Sequence, residues 1–309
     1  MSTTSPDLEQ FLEVVSKVAT SVATGAVADG WTAVESAGLP SLARDTAEEP
    51  DALHWLAHTV RVAAGSFPAL AFVLAARYAA DLALGEDSSQ APTFALRSHF
   101  SDPVVVIDPV PDLVVLLDID NRTVETVTWA EVEATVRDTP RTGLAAVRWG
   151  EFAPPSTSRP TSSDPTTMLT PWDLLTGAAL IGIAERAVAL TQAYVLERKQ
   201  FGVPIGSFAG LRALVAGMAL RVEPVRAQLD RALDGLAPSD TVVALAGPAA
   251  VHNCLDAIQS HGGYGYIAEY PIAGLLRDAM SVQARSGGRR LHVARVAQRG
   301  LGDPAGARS

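Results

Sequence analysis

Through residues 171–200, 208–236, 241–261 and 287–301, apolar side chains recur at every third or fourth position. That spacing matches the 3.6-residue turn of an α-helix and draws an apolar stripe along one face. Such a stripe leaves water only by meeting another one, and long helices joined by short connections meet as an antiparallel bundle. The segment 171–309 is therefore expected to be a C-terminal helical bundle.

The same period governs the beginning of the chain, in "LEQFLEVVSKVATSVA", "DALHWLAHTVRVAAG" and "PALAFVLAARYAADLAL". These define an N-terminal helical domain over 1–88. Its most apolar run, 67–84, is interrupted by Arg77 and Asp81, which are costly in a lipid-exposed helix, so it reads as a buried core helix and not a membrane span. From Ala91 the pattern changes to short β-branched runs, "VVVIDPV", "LVVLLDI" and "TVETVTW", separated by Asp-Pro, Pro-Asp and Asp-Asn turns. A small β-domain over 89–153 is expected. The stretch "PPSTSRPTSSDPTT" holds its prolines and their neighbours extended, which makes 154–170 a linker. The fold class is thus mainly α with a small β-domain: helical domain, β-domain, four-helix bundle.

Composition excludes several functions. With 309 residues, 48% hydrophobic and 19% charged, the chain buries a large core. A net charge of −10 argues against nucleic acid, whose partners carry a basic face. A single cysteine, Cys254, excludes a disulfide framework or a cysteine-rich metal site, and it reads as a small core residue. The N-terminus lacks the charged, apolar and cleavage regions of a secretory leader, so a cytoplasmic protein is expected. His54 and His58 share a helix face but lack a third ligand or an HExxH glutamate, and read as packed or surface residues.

Two stretches stand apart from this apolar background. "ERKQFGVPIG", residues 197–206, closes one bundle helix, and "IQSHGGYGYIAEYPIAGLLRD" closes another. Together, in this order, they closely resemble the acyl-CoA dehydrogenase family; the resemblance covers the bundle well and the earlier chain only in its order of elements. It implies that Arg198, Phe201, Gln259, Gly262 and Gly263 bind the adenine and pyrophosphate end of FAD held by a neighbouring subunit. Chemistry agrees. Arginine pairs bidentately with phosphate, an aromatic ring lies flat on adenine, and glutamine both donates and accepts. Glycines let backbone N–H groups approach phosphate closely. Read one motif at a time, a basic residue near a helix end complements the dipole and a glycine there is a C-cap.

The family reaction removes an α-proton of an acyl-CoA with a carboxylate while the β-hydrogen passes to the flavin as hydride. The family places that glutamate at one of two positions, which here fall on Ser286 and Trp172. Neither residue is a carboxylate base. Asp173 adjoins Trp172, but successive helix positions point about 100° apart. The Thr-Glu-Pro…Gly-Ser-Asp loop and the aromatic-Thr/Ser-Asn stretch that hold the flavin ring are also missing from "LALGEDSSQAPTFALRSHF", and the chain is shorter than a full-length member. Tyr264 and Tyr266 read as cofactor-entrance or interface residues, and Arg285, Arg289 and Arg290 as a solvated basic run or a contact for CoA phosphates.

The expectation is a subunit of a heteromeric, FAD-dependent acyl-CoA dehydrogenase, with no catalytic residue of its own and no metal. Its partner, a full-length acyl-CoA dehydrogenase subunit, would supply the glutamate and the flavin-ring loops in a heterotetramer, with an acyl-CoA substrate and an electron-transfer flavoprotein as acceptor. Actinobacterial enzymes of this divided type act on steroid-derived CoA thioesters, and that link is analogy. Two other readings stay open: a homomeric dehydrogenase using Asp173 as base, and a flavin-free interaction protein of the same fold.

Overall fold

The computed structural model describes residues 6–85, 90–97, 103–155, 158–160, 165–267 and 269–301. Much of 154–164 and of the stretch expected to lack the flavin-ring loop lies outside these residues.

The N-terminal helices are α1 (Pro6–Val22), the short α2 (Trp31–Ser36) and α3 (Leu42–Asp45), α4 (Ala52–Ser66) and α5 (Pro68–Leu84). Pro68 opens α5 at a position where its missing N–H costs nothing, and Gly85 ends it with φ +73°. Nearly all of α5 is buried, as the sequence implies. Its two charges stay paired inside: Arg77 lies 3.4 Å from Asp81, and Arg44 approaches the same carboxylate at 4.0 Å.

Strands β1 (Pro92–Arg97), β3 (Leu113–Asp118), β4 (Thr123–Thr128) and β7 (Arg159–Pro160) form a sheet in the order β1-β3-β4-β7. A second sheet orders β2 (Val104–Val106), β6 (Trp149–Glu151) and β5 (Arg137–Asp138), and α6 (Trp129–Val132) follows β4. Strand alternation divides the apolar residues between two cores. Ala95, Val114, Leu116 and Val127 meet Val105, Ile107 and Phe152 in one core, while Phe94, Val115, Leu117 and Val124 turn to the helices. This explains why "LVVLL" is apolar throughout: β3 is buried on both faces.

The bundle is built on α7 (Pro165–Glu197), which begins ahead of Pro171 and carries that proline inside it. Around α7 pack α8 (Ala209–Leu233), α9 (Ser239–His261) and α10 (Ile272–Arg285), and α11 (Gly288–Leu301) lies against α9. The periodic segments read from sequence omit α10 and put 287–301 in its place. In the structure Gly287 (φ +110°) and Gly288 (φ +76°) break the two helices apart, so α10 is the bundle helix and α11 an outer one. Glycine also sets how closely helices meet. A Cβ on Gly182 would collide with the Arg61 carbonyl oxygen of α4, so only glycine permits that approach. Two helices, Met168–Glu197 and Ser239–Tyr266, are long and apolar enough to cross a membrane by length and composition, yet their apolar windows are 78% and 56% buried within this fold.

Candidate functional site

At one end of the bundle the two motifs meet. The chain leaves α7 with the Arg198 N–H donating to Tyr194 O at 2.8 Å, then forms a hairpin of β8 (Lys199–Gln200) and β9 (Val203–Pro204). Its turn residues, Phe201 and Gly202, both have positive φ, at 52° and 83°. That is the backbone demanded by a tight two-residue hairpin, easy for glycine and uncommon for phenylalanine. It lifts the Phe201 ring off the surface, 93% exposed, with only an edge-on approach to Phe208 at 6.4 Å between centroids.

Across from the hairpin, α9 ends at His261 and Gly262 turns with φ +58°. A Cβ on Gly263 would meet nothing within 4 Å, so this turn presents open backbone to solvent. Gln259 is exposed on the last turn of α9. The Arg198 guanidinium carbon lies 5.5 Å from the Tyr264 ring centroid, which joins the first motif to the second. Sequence reading missed what holds Tyr264 there. Tyr194 stacks on His261 at 4.0 Å, Tyr270 meets both edge-on, and Tyr264 leans on Tyr270 at 5.6 Å. Only the position of His261, directly before Gly262, hinted at this. Burial lowers the His261 pKa, so the ring enters the stack neutral. Exposed aromatic rings, the Arg198 cation and an open glycine turn thus share this end of the bundle.

The positions of the expected glutamate lie elsewhere, beside a cavity of about 210 Å³ where all three domains meet. Trp172 forms part of its wall, with Phe94 at 4.8 Å and Phe72 at 5.8 Å between ring centroids. Arg97 and Arg285 line it too, and no carboxylate does among the described residues. Its volume falls below the roughly 300–1,000 Å³ of ordinary small-molecule pockets. The buried Trp172 Nε1 has no hydrogen-bond partner in the structure. Ser286 is fully buried between two lining residues and donates to Gln283 O at 2.8 Å.

Asp173 turns away from this cavity. Its carboxylate, 0% exposed, accepts from Ser239 Oγ at 2.9 Å and Arg295 Nη1 at 2.7 Å, and faces His292 at 3.6 Å. Burial raises its pKa to about 6 against the pull of Arg295, and burial lowers that of His292 to about 4. Asp240 joins the cluster through Arg299 and Arg295. These pairs fasten α11 to α7 and α9.

The other singled-out residues divide between packed and exposed positions. His54 pairs with Asp234 at 3.1 Å, and His58 approaches Asp230 at 3.9 Å, its pKa lowered to about 4 by burial. Among the described residues no three His, Cys, Asp or Glu side chains converge on a common point. Cys254 is buried, its thiol pushed up to about 12. Tyr266 is 75% exposed. Arg289 and Arg290 are exposed, whereas Arg285 is half-buried.

Residues 166–301 match the family "Acyl-CoA dehydrogenase, C-terminal domain". An acyl-CoA dehydrogenase of Bacillus subtilis (strain 168) is 39% identical over 117 residues, 36% of this chain and 31% of that protein, so the chain spans about a third of the curated relatives it matches. Among solved structures, the ChsE4-ChsE5 complex from Mycobacterium tuberculosis superposes with a TM-score of 0.77 at 20% identity, covering 98% of this chain and 99% of that one. The Tcur3481-Tcur3483 steroid ACAD G363A variant gives 0.73 at 18% identity, covering 94% and 97%. The chain therefore has the acyl-CoA dehydrogenase fold, and its residues 166–301 are similar to that family's C-terminal domain.

Proposed function

We propose that this chain is one subunit of a heteromeric acyl-CoA dehydrogenase and contributes the adenine and pyrophosphate half of a shared FAD site. One observation carries the reading: Arg198, Tyr264 and the open glycine turn converge on a surface suited to a dinucleotide, while both positions of the family base are occupied by Trp172 and Ser286 inside the core.

In this reading Arg198 pairs with pyrophosphate, Phe201 covers adenine, and the N–H groups of Gly262 and Gly263 face phosphate oxygens, with Gln259 donating and accepting alongside. Bound flavin supplies the hydride-accepting ring. Removal of the α-proton falls to a glutamate of the partner, a full-length acyl-CoA dehydrogenase subunit, because no carboxylate lines this chain's central cavity among the described residues. The burial of Asp173 among Arg295, Ser239 and His292 argues against its serving as a base, and so against a homomeric enzyme. The likeness to the ChsE4-ChsE5 complex and to the Tcur3481-Tcur3483 steroid enzyme supports a divided assembly, and the latter supports a bulky CoA thioester as substrate. An electron-transfer flavoprotein is the acceptor implied by the family resemblance.

Purification alone and with a co-expressed full-length dehydrogenase tests the reading. The lone chain is expected to be flavin-free, and the pair a yellow heterotetramer that is bleached by an acyl-CoA. A fully flavinated homotetramer of this chain alone overturns it. A colourless complex of the pair would favour the interaction-protein reading.

A further inference from the structure

A second pocket, of about 410 Å³, opens between α10 and the loop that precedes β6, and Arg141, Thr142, Trp149, Arg277, Ser281 and Arg285 are among its lining residues. Three guanidinium groups share this wall, and no carboxylate lines it among the described residues, in a protein whose net charge is −10. Like charges gather only where something offsets them.

The arrangement is held by backbone and not by chance rotamers. Residues 277, 281 and 285 recur every fourth position, so they lie along one face of α10. The loop is pressed onto that face at Gly143, where a Cβ would collide with Arg277 O and Ser281 Oγ. The next residue, Leu144, is held at φ +52°, and its N–H donates to Asp278 Oδ1 at 2.6 Å. Arg277 Nε in turn donates to Thr142 O at 3.2 Å, which leaves the outer edge of its guanidinium for another partner.

Neighbouring acids are committed elsewhere. Asp278 is turned to Leu144, and Glu151, which acts on Arg285, is bridged by Arg137 at 3.6 Å. Arg285 remains cationic although burial and the nearby Arg141 both lower its pKa.

We propose that Arg141, Arg277 and Arg285, with the hydroxyls of Thr142 and Ser281, form a binding site for an organic diphosphate. Planar guanidinium forks match phosphate oxygens pairwise, and hydroxyls supply the remaining hydrogen bonds. The pocket's volume suits a small organic ligand better than a lone ion. Arg285 also lines the aromatic cavity beside Trp172, so a ligand anchored here would sit at the threshold of that cavity. The site is separate from the Arg198 turn: it shares none of that turn's residues, and along α10 its Arg277 and Arg285 lie about 8 and 20 Å from the end near Tyr264. It does not depend on the shared-flavin reading. The diphosphate could belong to coenzyme A or to a flavin or adenine nucleotide, which share this chemistry.

Calorimetric titration of the full chain with sodium pyrophosphate, ADP, coenzyme A and FAD, at low and high salt, tests the proposal. Pyrophosphate and ADP should bind with an affinity that falls as salt rises. Arg141→Gln and Arg285→Gln should each weaken binding about tenfold or more, while Arg186→Gln, an exposed substitution on α7 outside both sites, leaves pyrophosphate binding unchanged. Tighter binding of coenzyme A than of FAD, lost in both glutamine variants, would support coenzyme A as the source; the reverse order, lost in the same way, would support a flavin nucleotide. Arg141 is exposed, so its substitution leaves folding intact and keeps the test decisive. Absence of pyrophosphate binding at millimolar concentration, or binding unchanged in both glutamine variants, overturns the proposal. So does binding weakened as much by Arg186→Gln as by the two glutamine variants of the site.

Discussion

The Asp173 carboxylate lies 3.6 Å from Nδ1 of His292, and both side chains are wholly shut off from solvent. His292 Nε2 faces the Ser286 carbonyl at 3.1 Å, so the proton on that nitrogen donates to it and Nδ1 turns a lone pair toward Asp173. One further proton between Asp173 and His292 makes their contact attractive. The pair thereby links α7 to α11 across the position where the family carries a glutamate.

This pair predicts a distinctive pH response. Burial raises Asp173 from 3.8 to about 6 and lowers His292 from 6.5 to about 4. Between about pH 4 and 6 the folded state carries a proton on Asp173 and the unfolded state carries one on His292, so the counts match and the pair adds no slope. His292→Gln removes that balance: the folded state then holds a proton the unfolded state lacks, and stability falls as pH rises through this window. Asp173→Asn does the opposite, and stability rises with pH from about 4 to 6.5. The expected slopes are roughly 1 kcal/mol per pH unit relative to the parent, read from urea midpoints. Parallel curves for all three proteins would refute the coupling.

Packing of α7 on α4 predicts a severe effect at Gly182. Gly182→Ala places a methyl group against the Arg61 carbonyl, and the helices must separate. Overpacking of this kind costs about 1–3 kcal/mol or more. Thermal denaturation should show a clear loss, whereas Gly263→Ala, with nothing within 4 Å of its new methyl, should leave the melting temperature unchanged.

Phe201 separates stability from binding. Its ring is exposed, so Phe201→Ala should not change the denaturation midpoint, yet it should weaken flavin retention by the co-purified complex. Arg198→Ala removes a charge-assisted pair contributing about 1.5–3 kcal/mol, a ten- to hundredfold loss of FAD affinity. Unchanged flavin content after dialysis of both variants would make the hairpin purely structural.

Catalysis should be indifferent to this chain's carboxylate. Asp173→Asn is expected to leave the rate of flavin bleaching by an acyl-CoA within severalfold, while removing the partner's glutamate costs about 10²–10⁴. Stopped-flow absorbance follows the step directly. A bleaching rate abolished by Asp173→Asn would return the base to this chain.

Periodicity alone determined the helices of both ends, because apolar residues at three- and four-residue spacing have one way to leave water. Alternating β-branched runs determined the small sheet for the same reason, and the paired motifs around Arg198 and Gly262 made the resemblance to acyl-CoA dehydrogenases legible. What sequence did not reveal depends on contacts between residues far apart in the chain. α10 was passed over although Ile272, Leu275, Ala279 and Val282 recur at helical spacing, and the consecutive positive-φ glycines at 287 and 288 separate it from α11. The hairpin that raises Phe201 requires a left-handed phenylalanine, a conformation no propensity would assign. Helix geometry already pointed Asp173 away from Trp172, but only the fold shows that one meets Arg295 and the other Phe94. Likewise Arg141 and Arg277 are distant in sequence, and became neighbours only because Gly143 lacks a side chain. Local pattern fixes which elements form, since burial acts residue by residue; which side chains share a site is decided by close approach of backbones, and that exists only in the folded chain.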